Sequence, residues 1–246
     1  MVDEEVLTGG NMEPVVKVGD TVRRVTGPWT PAVHDLLRRF ESMGITETPR
    51  AQGIDEQGRE VLSFIPGRVM ADLPPPSLWR HSLLRSAGGL LRRLHDASAP
   101  LVSMEATWRQ EVNPPVEVIC HNDFAPYNLI VGDDELVGVI DFDMASPGSR
   151  LRDLSYLAYR LVPYAEDAPG YDPERHGTRD RRLAVLIEAY GGDYSPDAVR
   201  QAAALRLEDL AVFTDDRAET TSRSDFIAHA AMYRRDAERL RSVRGG

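Results

Sequence analysis

The stretch "CHNDFAPYNLIV", residues 120–131, constrains this chain more than any other. His121, Asp123 and Asn128 lie close together, with Val116, Val118, Ile119 and Cys120 before them and Leu129, Ile130 and Val131 after them. A buried strand does not accommodate three such polar groups, because each needs a partner or carries a desolvation cost. A fully solvated loop has no use for the apolar flanks. The pattern predicts a strand end, a polar loop and a second short strand, with the polar groups presented to a ligand at the loop.

Thirteen residues after Asn128 stands Asp141, in the segment "IDFD" from Ile140 to Asp143. The intervening "LIVGDDELVGVI" reads as a hairpin with a Gly-Asp-Asp turn, which returns Asp141 close to Asn128. A carboxylate and an amide oxygen are hard oxygen ligands and together suit Mg²⁺. Asp123, upstream on the same loop, is then left to orient or deprotonate a hydroxyl. His121 is read as a histidine that holds the loop rather than as a proton shuttle.

Composition narrows the ligand. The formal net charge is −10, and Lys17 is the one lysine among 246 residues. That balance argues against a nucleic-acid surface and suits a cationic small molecule. Cys120 has no second cysteine to pair with. The acidic start "MVDEEVLTGG" lacks the basic-then-apolar pattern of a secretory signal, and no apolar run reaches membrane-spanning length. A cytoplasmic protein with no membrane or nucleic-acid partner is expected.

Strand signals dominate the first part: "EEVLTGG", "PVVKVG" and "DTVRRVTG", then two strands within "TPRAQGIDEQGREVLSFIPG" around an Asp-Glu-Gln-Gly turn. Between them a helix is predicted, capped by Thr30, with Pro31 in its first turn and Gly44 at its end. Its apolar positions Val33, Leu36, Leu37 and Phe40 recur at helical spacing. After "ADLPPPS" the pattern turns helical: residues 77–97, weakened in the middle by Gly88 and Gly89, and four later stretches. The polar segment from Ala165 to Arg182 reads as a loop. Asp153, near a helix start, is read as structural.

His121-x-Asp123-x4-Asn128 followed by Asp141 resembles the catalytic loop of protein kinases, H-R-D-x-x-x-x-N and then D-F-G. It is more similar to the aminoglycoside phosphotransferase and choline kinase-like family of small-molecule kinases. That family carries an I-D-x-x segment without the glycine; here Asp143 stands at the glycine position, and Ala125 stands where protein kinases carry a lysine. "LRRLHD" before the loop and "PGSRLRDLSYLAYR" after it extend the likeness, which is strong over residues 88–164 and weak before 66.

The resemblance implies an α+β, two-lobed protein kinase-like fold, with a small β-rich nucleotide lobe (1–66) and a mainly helical lobe (67–246) carrying the loop and acceptor site. It implies ATP and Mg²⁺ as cofactors, Asp123 as catalytic residue, Asn128 and Asp141 as metal ligands, and His121 and Asp143 in support. In the nucleotide lobe, Gly9, Gly10 and Asn11 correspond to the phosphate-covering turn, or form an ordinary hairpin connection. Val22 and Arg24 share a face of the third strand and reproduce an apolar residue under adenine and a phosphate-holding cation. Arg24 reads equally as a solvated strand charge. Ser63, Phe64 and Ile65 in "SFIPG" resemble the adenine-binding hinge, or a strand ending in a Pro-Gly turn. The helical glutamate that pairs with the cation in the family has no counterpart here; His34 and Asp35 occupy its stretch, and Glu41 lies about two turns on. The function implied is transfer of the γ-phosphoryl group of ATP to a hydroxyl of a small, cationic, aminoglycoside-like molecule, with antibiotic resistance as a possible role. An amino-alcohol kinase of choline or homoserine type, or a nucleotide-binding pseudoenzyme, are the alternatives.

Overall fold

A computed structural model of the protein describes residues 4–7, 15–221 and 224–242. In chain order the elements are β1 (Glu4–Leu7), β2 (Val15–Val18), β3 (Thr21–Val25), α1 (Thr30–Ser42), β4 (Ala51–Ile54), β5 (Arg59–Ser63) and β6 (Arg68–Val69). There follow α2 (Pro75–Leu78), α3 (His81–Ser98), β7 (Val118–Cys120), β8 (Leu129–Gly132), β9 (Glu135–Val139) and β10 (Ser146–Gly148). The rest is helical: α4 (Arg150–Leu161), α5 (Pro173–His176), α6 (Arg179–Tyr190), α7 (Pro196–Thr221) and α8 (Ser224–Ser242). Two compact units interleave along the chain. One takes in residues 1–72, 93–123 and 127–149, and so continues past residue 66; the other takes in 73–92, 124–126 and 150–246.

The first unit is built on an antiparallel sheet of order β1-β2-β3-β5-β4. A turn at Gly19, whose φ of 58° suits a residue without Cβ, connects β2 to β3. β3 then pairs with β5 in a register that sets Arg24 opposite Glu60 and Val22 opposite Leu62. Helix α1 buries Val33, Leu36, Leu37 and Phe40 at 0–1% exposure, about 2 kcal/mol apiece by transfer from water. Its expected cap is different: Trp29 holds the cap position without a side-chain bond, and the Thr30 hydroxyl instead accepts from the Gly27 N–H at 2.9 Å. Gly44 ends the helix at φ 73°.

The loop of residues 121–128 is framed by two small sheets. The strands on either side of it do not pair with each other: β7 pairs with β10, and β8 pairs with β6 and β9. The expected hairpin is β8–β9, with Asp133 and Asp134 both at positive φ (50° and 66°), the signature of a tight primed turn.

In the second unit α7 packs along α8 and against α4. Helix α3 stays continuous through Gly88 because α6 sits against it there; a Cβ would lie 3.0 Å from Leu186 Cδ1. The segment expected as a loop from 165 to 182 holds α5 and the first turn of α6, capped by Asp172 and Thr178 side chains. Arg182, assigned by sequence to that polar loop, is 0% exposed and donates to the carbonyls of Leu161, Trp79 and His176. The buried Asp236 accepts from the Tyr159 hydroxyl at 2.7 Å and the Glu166 N–H at 3.1 Å.

Candidate active site

All the site residues described here belong to the first unit. Asn122, at φ 64°, uses the left-handed conformation that Asn tolerates to turn the chain out of β7. Its amide donates to the Met144 carbonyl and the Ser146 hydroxyl, both at 2.9 Å, so the loop is tied to the segment after Asp141. His121 makes a second tie. Its Nδ1 accepts the Asp123 N–H at 3.2 Å, which leaves Nε2 to donate to the Ile140 carbonyl at 3.0 Å. The ring also packs on Phe142, whose other neighbour is Phe40 of α1.

Asn128 ends a single turn of 3₁₀ helix, Pro126–Asn128. Its amide nitrogen donates to the carbonyl of Asp123 at 2.9 Å and to the carboxylate Oδ2 at 3.0 Å. With the nitrogen so committed, the amide oxygen is the atom Asn128 can offer a cation. The Ile140 N–H donates to the Asn128 carbonyl at 2.9 Å, extending the β8–β9 ladder by one pair, and Asp141 follows at once. Asp141 lies at φ 65°, ψ 68°. A residue with a Cβ is held in that left-handed conformation only where its surroundings demand it, and such residues concentrate at functional sites. Its side chain is 46% exposed.

The Arg24 guanidinium gathers three carboxylates. Nε donates to Glu60 at 2.5 Å, Nη1 to Asp141 at 3.0 Å, and Nη2 to Asp143. Asp143 also pairs with Arg109 at 3.4 Å, and that guanidinium lies over the Trp29 ring, 4.4 Å from its centre. Glu60 is completed by His34 of α1, whose Nε2 donates to its other oxygen at 2.9 Å. Burial alone would lower the Arg24 pKa, but Asp143, Glu60 and Asp141 outweigh it and hold the group firmly protonated. Burial pushes Glu60 upward, and the His34 bond with the Arg24 charge brings it below the ordinary glutamate value. Asp143 ends above its ordinary value: burial and the neighbouring Asp141 and Glu60 outweigh Arg24 and Arg109.

The chain is similar to known phosphotransferases. Residues 101–205 match the family model described as "Phosphotransferase enzyme family". Over 203 residues the chain is 38% identical to trifolitoxin immunity protein of Rhizobium leguminosarum bv. trifolii, spanning 78% of this chain and 75% of the relative. This chain belongs to the phosphotransferase enzyme family. Its fold is that of solved kinases. An ethanolamine kinase of Plasmodium vivax superposes with a TM-score of 0.71 at 12% identity, covering 98% of this chain and 84% of that one. A ternary complex of streptomycin, ATP and APH(2")-IIa superposes at 0.53 and 16% identity, covering 94% and 93%.

In this phosphotransferase the structure brings Arg24, Asp141 and Asp143 into direct contact, and His121, Asp123 and Asn128 into another connected set. Val22 shares the face of Arg24 across from Leu62. At the hinge-like segment, the Ser63 and Phe64 N–H groups are taken by the carbonyls of Arg50 and Asp20, at 3.0 and 2.8 Å. Ile65 packs on Gly138 of β9, where a Cβ would stand 2.8 Å from its side chain. Gly9, Gly10 and Asn11 lie outside the described residues. Glu60 is the partner of Arg24 that sequence reasoning missed, as it missed Arg109 beside Asp143 and Asn122 in the loop. The glutamate facing Arg24 stands on β5 rather than on the helix, and the helix contributes His34 to it instead. No group of three or more His, Cys, Asp or Glu side chains arranged to hold a metal occurs among the described residues. Mg²⁺ does not require one, since it binds through one or two side-chain oxygens together with phosphates and water.

Proposed function

We propose that this phosphotransferase moves the γ-phosphoryl group of ATP to a hydroxyl of a small cationic molecule. The observation that carries the reading is the coupling of Asp123 to Asn128: one amide nitrogen holds the carboxylate while its oxygen stays available beside the ladder that leads from β9 into Asp141. In this reading the acceptor oxygen attacks the γ-phosphorus, the bond to the bridging oxygen breaks, and ADP leaves with the electron pair. Asp123 aligns the acceptor hydroxyl and takes its proton. Arg24 donates to the phosphates, its direction set by Glu60 and His34. Asn128 and Asp141 would hold Mg²⁺, which when bound neutralises charge on the phosphate oxygens. Amide donors for the adenine edge are sought from Ile65 onward, since those of Ser63 and Phe64 are already used.

The acidic balance of the chain favours an acceptor bearing amines. The likeness to a streptomycin and ATP complex supports an aminoglycoside-like acceptor, and the immunity protein relative supports a protective role against a toxic compound. The likeness to an ethanolamine kinase keeps an amino alcohol as the second reading. ATP use assigns the reaction to the cytoplasm; no helix among the described residues is long and apolar enough to cross a membrane.

The test is ADP release from Mg-ATP with streptomycin, ethanolamine and a neutral polyol. One of the cationic compounds should stimulate release, and the polyol should not. Asp123→Asn keeps the side-chain size and should lower turnover by about 10²–10⁴-fold with ATP affinity nearly unchanged. Near-wild-type turnover in that variant would reduce Asp123 to a scaffold and reject the reading.

A further inference from the structure

Both carboxylate oxygens of Asp123 are engaged. Asn128 donates to Oδ2, and the phenol of Tyr127 donates to Oδ1. The two contacts differ in kind. Asn128 is buried, and its nitrogen is anchored a second time on the Asp123 carbonyl, so Oδ2 is fixed. Tyr127 is 38% exposed, at the middle of the Pro126–Asn128 turn, so its contact to Oδ1 lies at the surface. Oδ1, on the exposed side, is therefore the oxygen an attacking hydroxyl can reach, and a hydroxyl already points at it.

We infer that Tyr127 is a positioning residue that occupies the acceptor's seat on Asp123 and shields Oδ1 from water until an acceptor displaces it. The inference rests on the proposed phosphotransferase reaction with Asp123 as the base. The reaction being suppressed is ATP hydrolysis. Water oxygen forms a bond to the γ-phosphorus, the bond from phosphorus to the β–γ bridging oxygen breaks, its electron pair leaves with ADP, and the water proton passes to Oδ1. A phenol donating to Oδ1 opposes this twice: it excludes the water that would be activated, and it stabilises the carboxylate as an anion, making it a weaker base. A bound acceptor hydroxyl replaces the phenol as donor and restores the base where transfer occurs.

Tyr127→Phe removes the hydroxyl and keeps the ring. Phosphate release from Mg-ATP without any acceptor should rise about tenfold, as expected when a hydrogen bond to a charged group is lost. ATP affinity and melting temperature should stay at wild-type values, and the rise should vanish in the Tyr127→Phe/Asp123→Asn double variant. If wild type exceeds the Asp123→Asn background but Tyr127→Phe releases phosphate no faster than wild type, the shielding role is overturned and the phosphotransferase reading stands. A rise that survives in the double variant overturns it as well. If neither wild type nor Tyr127→Phe exceeds that background, the shielding role is overturned, while the phosphotransferase reading is decided separately by ADP release with an acceptor.

Discussion

Arg24 of the first unit, partly buried, and Arg182 of the second, fully buried, are held in opposite ways. Arg24 lies among Glu60, Asp141 and Asp143, and its protonated form is favoured by their charge. Arg182 is fully buried against the carbonyls of Trp79, Leu161 and His176, with no carboxylate among its described partners. Burial lowers its pKa to about 10, so it stays charged at neutral pH at some cost. Carbonyl dipoles satisfy the hydrogens of a guanidinium but do not balance its charge. Arg182 thus ties three segments of backbone together and has nothing to exchange. Arg24 has carboxylate counter-charges, two of them on one segment where Asp141 is exposed, and can share its donors with a phosphate. A buried arginine is structural or functional according to what neutralises it.

The largest effect expected from this contrast is on stability. Arg182→Met fills much of the same space but takes the guanidinium donors away from the Trp79 and Leu161 carbonyls, while His176 keeps the His81 ring as a donor. It should cost about 3 kcal/mol, lowering Tm by roughly 10 °C, with ATP affinity in the still-folded protein unchanged. A Tm within a degree or two of wild type would break the comparison, because Arg182 would then not be an anchor. Next comes Arg24→Ala. Loss of charge-assisted bonds to phosphate should weaken ATP roughly 10–100-fold, read by titration, while adenosine binding barely moves. Equal losses for both ligands would make Arg24 a structural anchor like Arg182.

The smallest effect sharpens the comparison through pH. The Glu60 carboxyl is held below its ordinary 4.5 in the fold, so the stability it contributes is complete above that value. It is lost as pH falls through the lower folded value, where the carboxylate takes up its proton. Glu60→Gln should therefore be less stable than wild type at pH 7, by about 1 kcal/mol, and the gap in Tm should narrow steadily below pH 4.5. A gap constant with pH would mean that shape rather than charge at Glu60 holds Arg24.

The two halves of the candidate site were not equally readable. His121, Asp123 and Asn128 occupy one short loop, and the hairpin that returns Asp141 is local, with Asp133 and Asp134 making its turn. Short-range rules of turns and alternation reach that far, and the motif they place there is the one that resembles the family. Arg24 was found by alternation with Val22, but its partner was sought one helix along, where the family has its glutamate. Glu60 is 36 residues away, on β5, which pairs with β3 although α1 and β4 lie between them in sequence. The usable signal was the expectation of strands at both places; what was lacking was their register.

By itself the sequence determined the loop and its hairpin, the amphipathic face of α1, the phosphotransferase family and its kinase-like fold. Each is written in residues close along the chain, where steric and hydrogen-bonding preferences act before any tertiary contact forms. Only the tertiary structure decided that Glu60 faces Arg24 while His34 holds its other oxygen, that Arg109 reaches Asp143, and that Arg182 leaves a polar segment for the interior. Those outcomes depend on strand register and on carbonyls from residues 79, 161 and 176 converging on one guanidinium. A charge gives up water only where partners are already assembled around it, and that assembly is a property of the closed fold.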